Sequence, residues 1–379
     1  MSEATASTPN FLVIRRDNIG DLVCTTPLIH ALREHFPKAR VCVLVNSYNR
    51  PVVENNLDID TVYAYMKTKH REPGQSVLGV LWKRLLLMRE LRRQRFDYAI
   101  IAGAHFLPRA LRLARAIKPR HIIGFTEVGK RGTRHIDTGV PYTLPHPLHE
   151  VQDIFRLLAP LGIQGEPPAM RVFPSTAVLA QAQKALREKG LAADNVIGVH
   201  ISARKPLNRW PAENFTDLIR RLHQAHGAGF MLFWSPGSAS NPRHPGDDEK
   251  AQQIMDDLKD VPILAYPTDR LDQLIVGLAQ CRAVVCSDGG AMHIAAALGK
   301  PILCFFGKSE KTRWYPWKAE HVLLQPASLN VADIGVDEAA RAFEKLRRGE
   351  GSNRVTPKAE VELAAGGIKT PSPPGRGPG

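Results

Sequence analysis

The sequence lacks the features of a membrane-spanning or secreted chain. No apolar run reaches the length of about 18 residues that a membrane span requires. Residues 1–10 are polar, with neither the basic start nor the apolar stretch of a secretory signal. These two absences predict a soluble protein that stays in the cytoplasm.

Motifs for metals and for the common nucleotide-binding folds are also missing. The 5 cysteines form no CxxC pair and no zinc-type cluster with histidine, so we expect buried free thiols. Neither a GxGxxG fingerprint nor a P-loop occurs. The triplet Asp58-Ile59-Asp60 matches a DxD metal motif, but it lies at the entry to a predicted edge strand. We therefore predict no metal and no cofactor.

Aromatic residues make up only 7% of the chain, whereas the net charge is +14. A basic surface attracts phosphates, anionic lipids or nucleic acid. Because the aromatic residues do not alternate with the basic runs, a stacking surface for nucleic acid is not predicted. Two interpretations of the basic runs stay open: solvated helix faces, or a surface for an acidic, membrane-held acceptor. The runs comprise Lys83, Arg84, Arg89, Arg92, Arg93, Arg95, Arg109, Arg112, Arg115, Lys118 and Arg120.

The first half alternates apolar runs with helical patterns, which predicts βαβ units and a parallel sheet. Strands are predicted at 11–15, 40–45, 61–65, 97–101 and 121–125, and helices at 21–36 and 77–94. In the second helix, the spacing of Leu81, Leu85, Met88 and Leu91 predicts core positions. Segment 141–147, rich in proline and histidine, excludes a helix, and 149–161 is predicted as helical.

The alternation restarts after segment 164–174, whose three prolines indicate a linker. Strands are predicted at 196–202, 229–235, 262–264, 283–287 and 301–306, and helices at 175–189, 212–226, 247–259, 270–281 and 290–298. With 379 residues, the α/β chain suits two Rossmann-like domains, at 1–165 and 175–348. Segment 349–379 is predicted to be a disordered tail.

The loop after the first predicted strand ends in Gly20-Asp21 and opens a helix. In open α/β sheets, ligands bind at the carboxyl ends of strands. Gly20 allows a tight turn and the close approach of a substrate. The positive end of the helix favours the ionised form of Asp21. The alternative for Asp21 is a plain helix cap.

A second loop, Asp288-Gly289-Gly290-Ala291-Met292-His293, joins an apolar strand to a helix rich in small residues. Backbone N–H groups at such a helix start bind phosphate, and the two glycines let a diphosphate approach the main chain. His293, one turn into the helix, is predicted to face the same phosphates. The alternative is a strand–turn–helix unit shaped by packing alone.

A third loop follows the first strand of the second half. It carries Arg204, Lys205 and Arg209 within six residues. Side chains of this type at the end of a strand are suited to clamping phosphates.

Together the three loops resemble glycosyltransferase family 9, the bacterial ADP-heptose–lipopolysaccharide heptosyltransferases. The family opens with a strand and an Arg-rich turn ending in Gly-Asp, as residues 14–21 do. Its donor motif, Asp-Ser/Thr-Gly-x-x-His before an alanine-rich helix and a Lys-Pro strand, is similar to residues 288–301. Segments 305–308 and 314–317 continue the likeness, which runs from about residue 10 to residue 345.

The resemblance implies a GT-B fold, in which two Rossmann-like domains face an interdomain cleft. It implies an inverting glycosyltransferase that needs no metal and moves heptose from ADP-heptose to a lipopolysaccharide inner-core acceptor. The acceptor, an acidic glycolipid, is expected mainly on the N-terminal domain and the nucleotide on the C-terminal domain. A cytoplasmic enzyme in peripheral contact with the inner membrane is therefore expected, with no nucleic-acid partner.

The resemblance also assigns residue roles. The general base of the family maps to Asp21, and its diphosphate-binding backbone maps to Asp288, Gly289, Gly290 and Ala291. Further donor contacts are expected from Arg204, Lys205, Arg209 and His293, and acceptor-side contacts from Arg16, Asn18 and Gly20.

Two positions depart from the family pattern. Gly289 replaces a Ser or Thr, so a hydroxyl contact is lost. Asn208 replaces a lysine that offsets donor phosphate charge, and Lys205, Arg204 or Arg209 are candidates to substitute for it. The alternative function is therefore a non-catalytic GT-B protein that binds nucleotide sugars.

Overall fold

The first half of the chain is built from short parallel strands with helices between them. The computed structural model describes residues 8–65, 77–142, 148–241 and 245–352. The strands of this half are β1 (Asn10–Ile14), β2 (Arg40–Asn46), β3 (Thr61–Tyr65), β4 (Tyr98–Ile101), β5 (His121–Thr126) and β6 (Thr138–Pro141). Its helices are α1 (Ile19–Val23), α2 (Thr26–His35), α3 (Val77–Arg93), α4 (Pro108–Ile117) and α5 (Glu150–Phe155).

The second half repeats this pattern. Its strands are β7 (Val196–His200), β8 (Gly229–Trp234), β9 (Ile263–Pro267), β10 (Ala283–Ser287), β11 (Ile302–Phe305) and β12 (His321–Leu324). Its helices are α6 (Thr176–Glu188), α7 (Ala212–His226), α8 (Asp248–Asp257), α9 (Leu271–Gln280), α10 (Gly290–Ala297), α11 (Lys311–Trp314) and α12 (Val336–Arg347). Short 3₁₀ helices cover Ser47–Val52, Thr133–His135, Arg156–Leu161, Ala193–Asn195, Pro206–Asn208 and Val331–Asp333.

Each half contributes one six-stranded parallel sheet within the described residues. The strand orders are β3-β2-β1-β4-β5-β6 and β12-β11-β10-β7-β8-β9. The order reverses between β1 and β4 in the first sheet and between β7 and β10 in the second. Ligands of such sheets bind outside the carboxyl ends of the strands at this reversal. The loops after β1, β7 and β10 therefore all lie where a ligand is expected.

The central strands are apolar because helices cover both faces of each sheet. Phe11, Leu12 and Val13 of β1 and Val284 and Val285 of β10 are fully buried. The predicted linker, 164–174, contains no helix or strand. The domain limits at 165 and 175 stay a prediction. All strands of the first sheet lie before residue 165, and all strands of the second sheet lie after residue 175.

The predicted helix 21–36 is two helices, α1 and α2, and the first begins at Ile19. The break follows from Pro27, which has no N–H to bond the carbonyl of Val23. The Thr26 hydroxyl donates to that carbonyl instead, over 2.7 Å. α1 is therefore a short helix separate from α2.

The prediction of four core residues on α3 is wrong for two of them. Leu91 is fully buried and Met88 is half-buried, but Leu81 and Leu85 are 49% and 58% exposed. Periodicity defines a stripe along a helix but not how far the neighbouring layer extends beneath it. In this molecule the described residues cover the last turns of α3 and leave its first turns open.

The sequence does not predict five of the observed elements: strands β6 and β12 and helices α4, α11 and α12. Both strands lie at sheet edges, where apolar patterning is weak. Some predictions concern residues that the structure does not describe. Residues 1–7, 143–147 of the proline-rich segment, and 353–379 of the predicted tail lie outside the described residues. Every cysteine lies in the described part and is a buried free thiol, as predicted.

The two halves meet along an apolar seam. Leu22 and Val23 of α1 belong to the same buried cluster as Met292 and Ala295 of α10.

Among the described residues, no helix combines the length and apolar character that crossing a membrane requires.

His149 links the halves as a neutral side chain. Its Nδ1 accepts from the Val151 N–H over 3.1 Å, so its Nε2 carries the proton and donates to the Tyr315 carbonyl over 2.9 Å. Burial lowers the pKa of His149 to about 3. Burial likewise lowers the pKa of His200, at the end of β7, to about 4.

These two histidines predict loss of stability on mild acidification. Below pH 6.5, the usual histidine pKa, both histidines are protonated in the unfolded chain but remain neutral in the folded protein. The free energy of unfolding therefore keeps its full value above pH 6.5 and declines as the pH falls towards 4, by about 2 kcal/mol per histidine at pH 5. Thermal unfolding followed from pH 7.5 to pH 5 tests this expectation. His149→Asn, which keeps a capping side chain, should reduce the slope; a midpoint independent of pH would contradict the prediction.

Candidate active site

Asp21 is held at the carboxyl end of β1 by three hydrogen bonds. Its Oδ2 accepts from the backbone and side-chain nitrogens of Asn18, at 3.0 and 2.9 Å. Its Oδ1 accepts from Arg15 Nη2 at 2.7 Å. Burial raises the pKa of Asp21, but Arg15 and Asn18 outweigh it, so the pKa lies below its usual value. Asp21 is therefore an oriented carboxylate, ionised at neutral pH.

Arg15 extends this carboxylate into a buried chain of charges. Its Nη2 also contacts Glu150 Oε1 at 2.8 Å, and its side chain is only 3% exposed. Arg313 of α11 binds the other oxygen of Glu150 and contacts Asp153 at 3.0 Å. The chain Asp21–Arg15–Glu150–Arg313–Asp153 thus joins four residues of the first half to Arg313 of the second half.

The two glycine-containing loops face each other across the seam. A Cβ added to Gly20 would lie 2.6 Å from Cδ2 of His293, closer than real Cβ atoms approach. A Cβ added to Gly290 would lie 3.1 Å from Cβ of Ile19. The absence of side chains at Gly20 and Gly290 therefore allows α1 and α10 to pack directly.

His293 fills the space between these helices. Its ring is buried, with Nδ1 3.7 Å from Cys24 Sγ and the ring edge-on to Trp314. Burial lowers the pKa of His293, although Asp288, Asp21 and Glu150 act to raise it. The ring thus packs on α1 within electrostatic reach of both loop aspartates. Its predicted contact with phosphates stays a prediction.

The start of α10 is open on the side of Gly289. Gly289 is extended, with φ of 163°, and no described atom lies within 4 Å of a Cβ added to it. The first N–H groups of a helix have no partner within it, and Gly289 has no side chain to cap them. The backbone at 289–291 is therefore suited to bind an anion.

Asp288 is turned towards the second sheet. Its Oδ2 accepts from the Ser309 hydroxyl and, over 3.4 Å, from Asn208 Nδ2. Lys205 Nζ lies 3.4 Å from the same Ser309 hydroxyl. Asn208 is buried, whereas Lys205 is exposed. Of these two residues, Lys205 is the one that places a positive charge beside the Asp288 loop.

The other predicted contacts are spread around the cleft. Arg204 Nη1 lies 3.5 Å from Asn18 Oδ1 and so links the β7 loop with the β1 loop. Arg209 Nε donates to the Ala203 carbonyl of its own loop over 3.0 Å. The Arg16 guanidinium lies over the Tyr65 ring, 4.3 Å from its centroid.

Arg16 belongs to a cationic cluster on the first half. Arg84 of α3 lies over the same Tyr65 ring at 4.6 Å. Burial lowers the pKa of Arg16, and the charges of Arg84 and Arg109 lower it further. Arg84 and Arg109 are therefore close enough to Arg16 for their charges to act on it, and a cluster of this kind attracts an anion.

The sequence did not single out Glu150, Arg313 or Ser309. Glu150 opens a helix without a recognisable motif, and Arg313 lies in a four-residue helix. Ser309 had a usable signal, because it follows β11, which pairs with β10. Because β10 and β11 are parallel neighbours, residues that follow them, such as Asp288 and Ser309, are expected to lie close together.

The DxD triplet is occupied by other contacts. Asp58 contacts His30 at 3.1 Å, and Asp60 binds Arg33 and the Val41 N–H ahead of edge strand β3. In the described parts of the chain, no group of three or more His, Cys, Asp or Glu side chains is arranged to hold a metal ion.

The profile of glycosyltransferase family 9 (heptosyltransferase) matches residues 84–332. The chain belongs to this family. Lipopolysaccharide heptosyltransferase 3 of Escherichia coli K12 is 24% identical over 306 residues, which cover 79% of this chain and 82% of the relative. The range that the family profile matches, 84–332, includes the β7 and β10 loops but not the Asp21 loop.

Solved structures of the family share the fold. A family 9 glycosyltransferase from Veillonella parvula has a TM-score of 0.74 at 20% identity and covers 89% of this chain and 97% of its own. The E. coli ADP-heptose lps heptosyltransferase II has a TM-score of 0.70 at 20% identity, covering 90% and 99%. The predicted GT-B fold is confirmed, and this family 9 member is a glycosyltransferase.

The packing of α1 on α10 predicts a loss of stability for one glycine substitution in this family 9 member and no change for another. Gly20→Ala drives a methyl group against the buried His293 ring and should lower the free energy of unfolding by about 1–3 kcal/mol. Gly289→Ala places its methyl group in open space and should leave stability unchanged. Denaturant unfolding of both variants measures the difference. Equal stability of the two variants would show that α1 and α10 are not in direct contact in solution.

Proposed function

We propose that the protein transfers heptose from ADP-heptose to an acidic lipopolysaccharide inner-core acceptor, with inversion at the anomeric carbon. Relatives named lipopolysaccharide heptosyltransferase and a structural neighbour named for ADP-heptose support this substrate pair. The observation that carries the proposal is the position of Asp21. It is an ionised carboxylate one residue from the contact between Gly20 and His293, which joins the two loops.

The reaction is a single displacement. The acceptor hydroxyl oxygen forms a bond to the anomeric carbon as the bond from that carbon to the diphosphate oxygen breaks. Asp21 takes the hydroxyl proton, and ADP leaves with the bonding electron pair. Base catalysis of this kind contributes about 10²–10⁴-fold.

The lowered pKa of Asp21 determines when the proton moves. A carboxylate of low pKa is a weak base towards a neutral hydroxyl, but that hydroxyl becomes strongly acidic as its oxygen bonds to carbon. Proton transfer to Asp21 is therefore expected late in the displacement. Arg15 keeps Asp21 ionised before that point.

The donor side stabilises the leaving ADP. The backbone N–H groups at 289–291 face the open side of the Asp288 loop and meet the diphosphate. Lys205 supplies the positive charge that the family places at position 208, because Asn208 is buried against Asp288. Arg204 and Arg209 are auxiliary donor contacts, Ala291 and His293 shape the helix start, and Gly289 leaves room where the family has a hydroxyl.

The acceptor side lies on the first half of the chain. Arg16, with Arg84 and Arg109, offers a cationic cluster for acidic groups of the acceptor. Asn18 orients the base, and Gly20 keeps the seam closed. The acceptor hydroxyl is thereby brought to Asp21 from the side opposite the nucleotide.

Turnover of ADP-heptose tests the proposal. The purified full chain, mixed with ADP-heptose and a delipidated inner-core acceptor, should release ADP in step with product, and the new linkage should have inverted anomeric configuration by NMR. If ADP or ADP-heptose instead stabilises the protein without any turnover, the protein is a non-catalytic nucleotide-sugar-binding protein, the alternative function that Asn208 and Gly289 suggest. Turnover with retained configuration would remove Asp21 from the role of base in a single displacement.

A further inference from the structure

The outer face of α3 carries large apolar side chains that nothing in the described part of the chain covers. Leu78 and Trp82 are 79% and 62% exposed, and Leu81, Leu85 and Leu86 are 49%, 58% and 49% exposed. Monomeric proteins rarely expose a contiguous apolar patch of this kind without a binding partner. These five residues are called the α3 apolar patch below.

Helical spacing places the patch and a cationic segment on one face. Positions 78, 81, 82, 85 and 86 follow the spacing i, i+3, i+4, i+7, i+8, and Arg89, Arg92 and Arg93 continue it. The opposite face, with Leu87, Met88 and Leu91, packs on the core of the first sheet. One exposed face is therefore apolar in its first turns and cationic in its last turns.

Helix α4 widens the cationic part. It packs beside α3, and Arg92 Nε donates to the carbonyl of Ala116 in α4 over 2.6 Å. Arg109, Arg112 and Arg115 of α4 are exposed. The apolar patch is thus bordered by exposed positive charge from two helices.

We propose that this face docks on an anionic lipid bilayer, with the α3 apolar patch at the acyl boundary and the arginines at the head groups. Apolar and cationic side chains in this arrangement bind the surface of anionic membranes. A second copy of the chain is a poorer occupant, because a two-fold contact sets this face against itself and none of the face positions carries an acidic side chain to pair with the arginines.

The position of α3 connects the docking face with the site. Arg84 of α3 shares the Tyr65 ring with Arg16, which is in the loop that ends at Asp21. Docking would therefore bring the acceptor side of the cleft near the bilayer surface. This part of the inference rests on the proposed function, in which the acceptor is a glycolipid.

Co-sedimentation of the full-length protein with vesicles tests the proposal. Vesicles of phosphatidylglycerol with phosphatidylethanolamine should bind the protein, and vesicles of phosphatidylcholine alone should bind it weakly. Trp82→Gln with Leu85→Gln should reduce the partition coefficient by about tenfold or more. Arg89→Gln with Arg93→Gln should reduce it about fivefold per charge and weaken its dependence on salt.

Matched controls come from other surfaces. Leu57→Gln removes an apolar side chain that is 85% exposed ahead of β3, and Arg187→Gln with Lys189→Gln removes two exposed charges at the end of α6. Both control proteins should bind vesicles like the parent. All of the substituted residues are exposed, so thermal midpoints should stay unchanged.

The readouts separate docking from catalysis. With delipidated acceptor, the Trp82/Leu85 variant should turn over like the parent. If vesicle binding is absent in the parent, or is equal in patch and control variants, the docking proposal is wrong while turnover still supports the transferase. If the patch variants instead dissociate a dimer seen by light scattering, the occupant is a second copy, and the lipid proposal is overturned.

Discussion

Asp21→Asn lowers turnover by about 10²–10⁴-fold and leaves the affinity for ADP nearly unchanged. The carboxamide has almost the same shape and still accepts from Asn18, but it cannot take the proton of the acceptor hydroxyl. The nucleotide is expected across the seam, beside 289–291, so its binding does not depend on the charge at position 21. Steady-state turnover and thermal shift with ADP, measured on the same preparation, give the two values.

A neighbouring carboxylate provides the control for this substitution. Asp17 lies in the same loop and also contacts Arg15, at 3.3 Å, but its side chain is 43% exposed. Asp17→Asn should change turnover only a few-fold. If Asp21→Asn and Asp17→Asn behave alike, the loop needs negative charge in general, and Asp21 is not the base.

Glu150→Gln lowers the free energy of unfolding by about 1–3 kcal/mol. Glu150 is 4% exposed and contacts two arginines, Arg15 and Arg313, which come from different halves of the molecule. The substitution leaves Arg15 with Asp21 and Arg313 with Asp153, but it replaces the buried carboxylate that both arginines share with a neutral carboxamide. Chemical denaturation of the variant and the parent at neutral pH measures the loss.

The exposed pair Arg50–Glu54 is the control for the buried one. Its atoms approach to 2.9 Å, but the two side chains are 49% and 45% exposed. Glu54→Gln should cost less than about 1 kcal/mol, because water screens the exposed pair. A loss for Glu150→Gln as small as that for Glu54→Gln would show that the buried chain of charges does not hold the halves together.

The buried chain of charges also bears on catalysis. Asp21 is oriented by Arg15, and Arg15 is oriented by Glu150, which Arg313 of the second half also binds. The geometry of Asp21, the proposed base, is thereby linked to one contact from the second half, between Arg313 and Glu150.

The amino-acid sequence alone determined the layout of strands and the loops that follow them. Buried parallel strands are continuous apolar runs, so β1, β2, β7 and β10 were predicted close to their observed bounds. Glycine next to aspartate after such a run marks a strand end suited to ligands. Both the Asp21 loop and the Asp288 loop are predicted as ligand-binding loops in this way, and the range matched by the family profile includes the second.

Only the tertiary structure decided which side chains meet. The contact of Gly20 with His293 and the bridge from Glu150 to Arg313 join residues far apart in the chain, and no local pattern encodes such pairs. The spacing of apolar residues along α3 was visible in the sequence. Whether that stripe faces the core or the solvent depends on how far the layer beneath the helix extends, which periodicity does not specify.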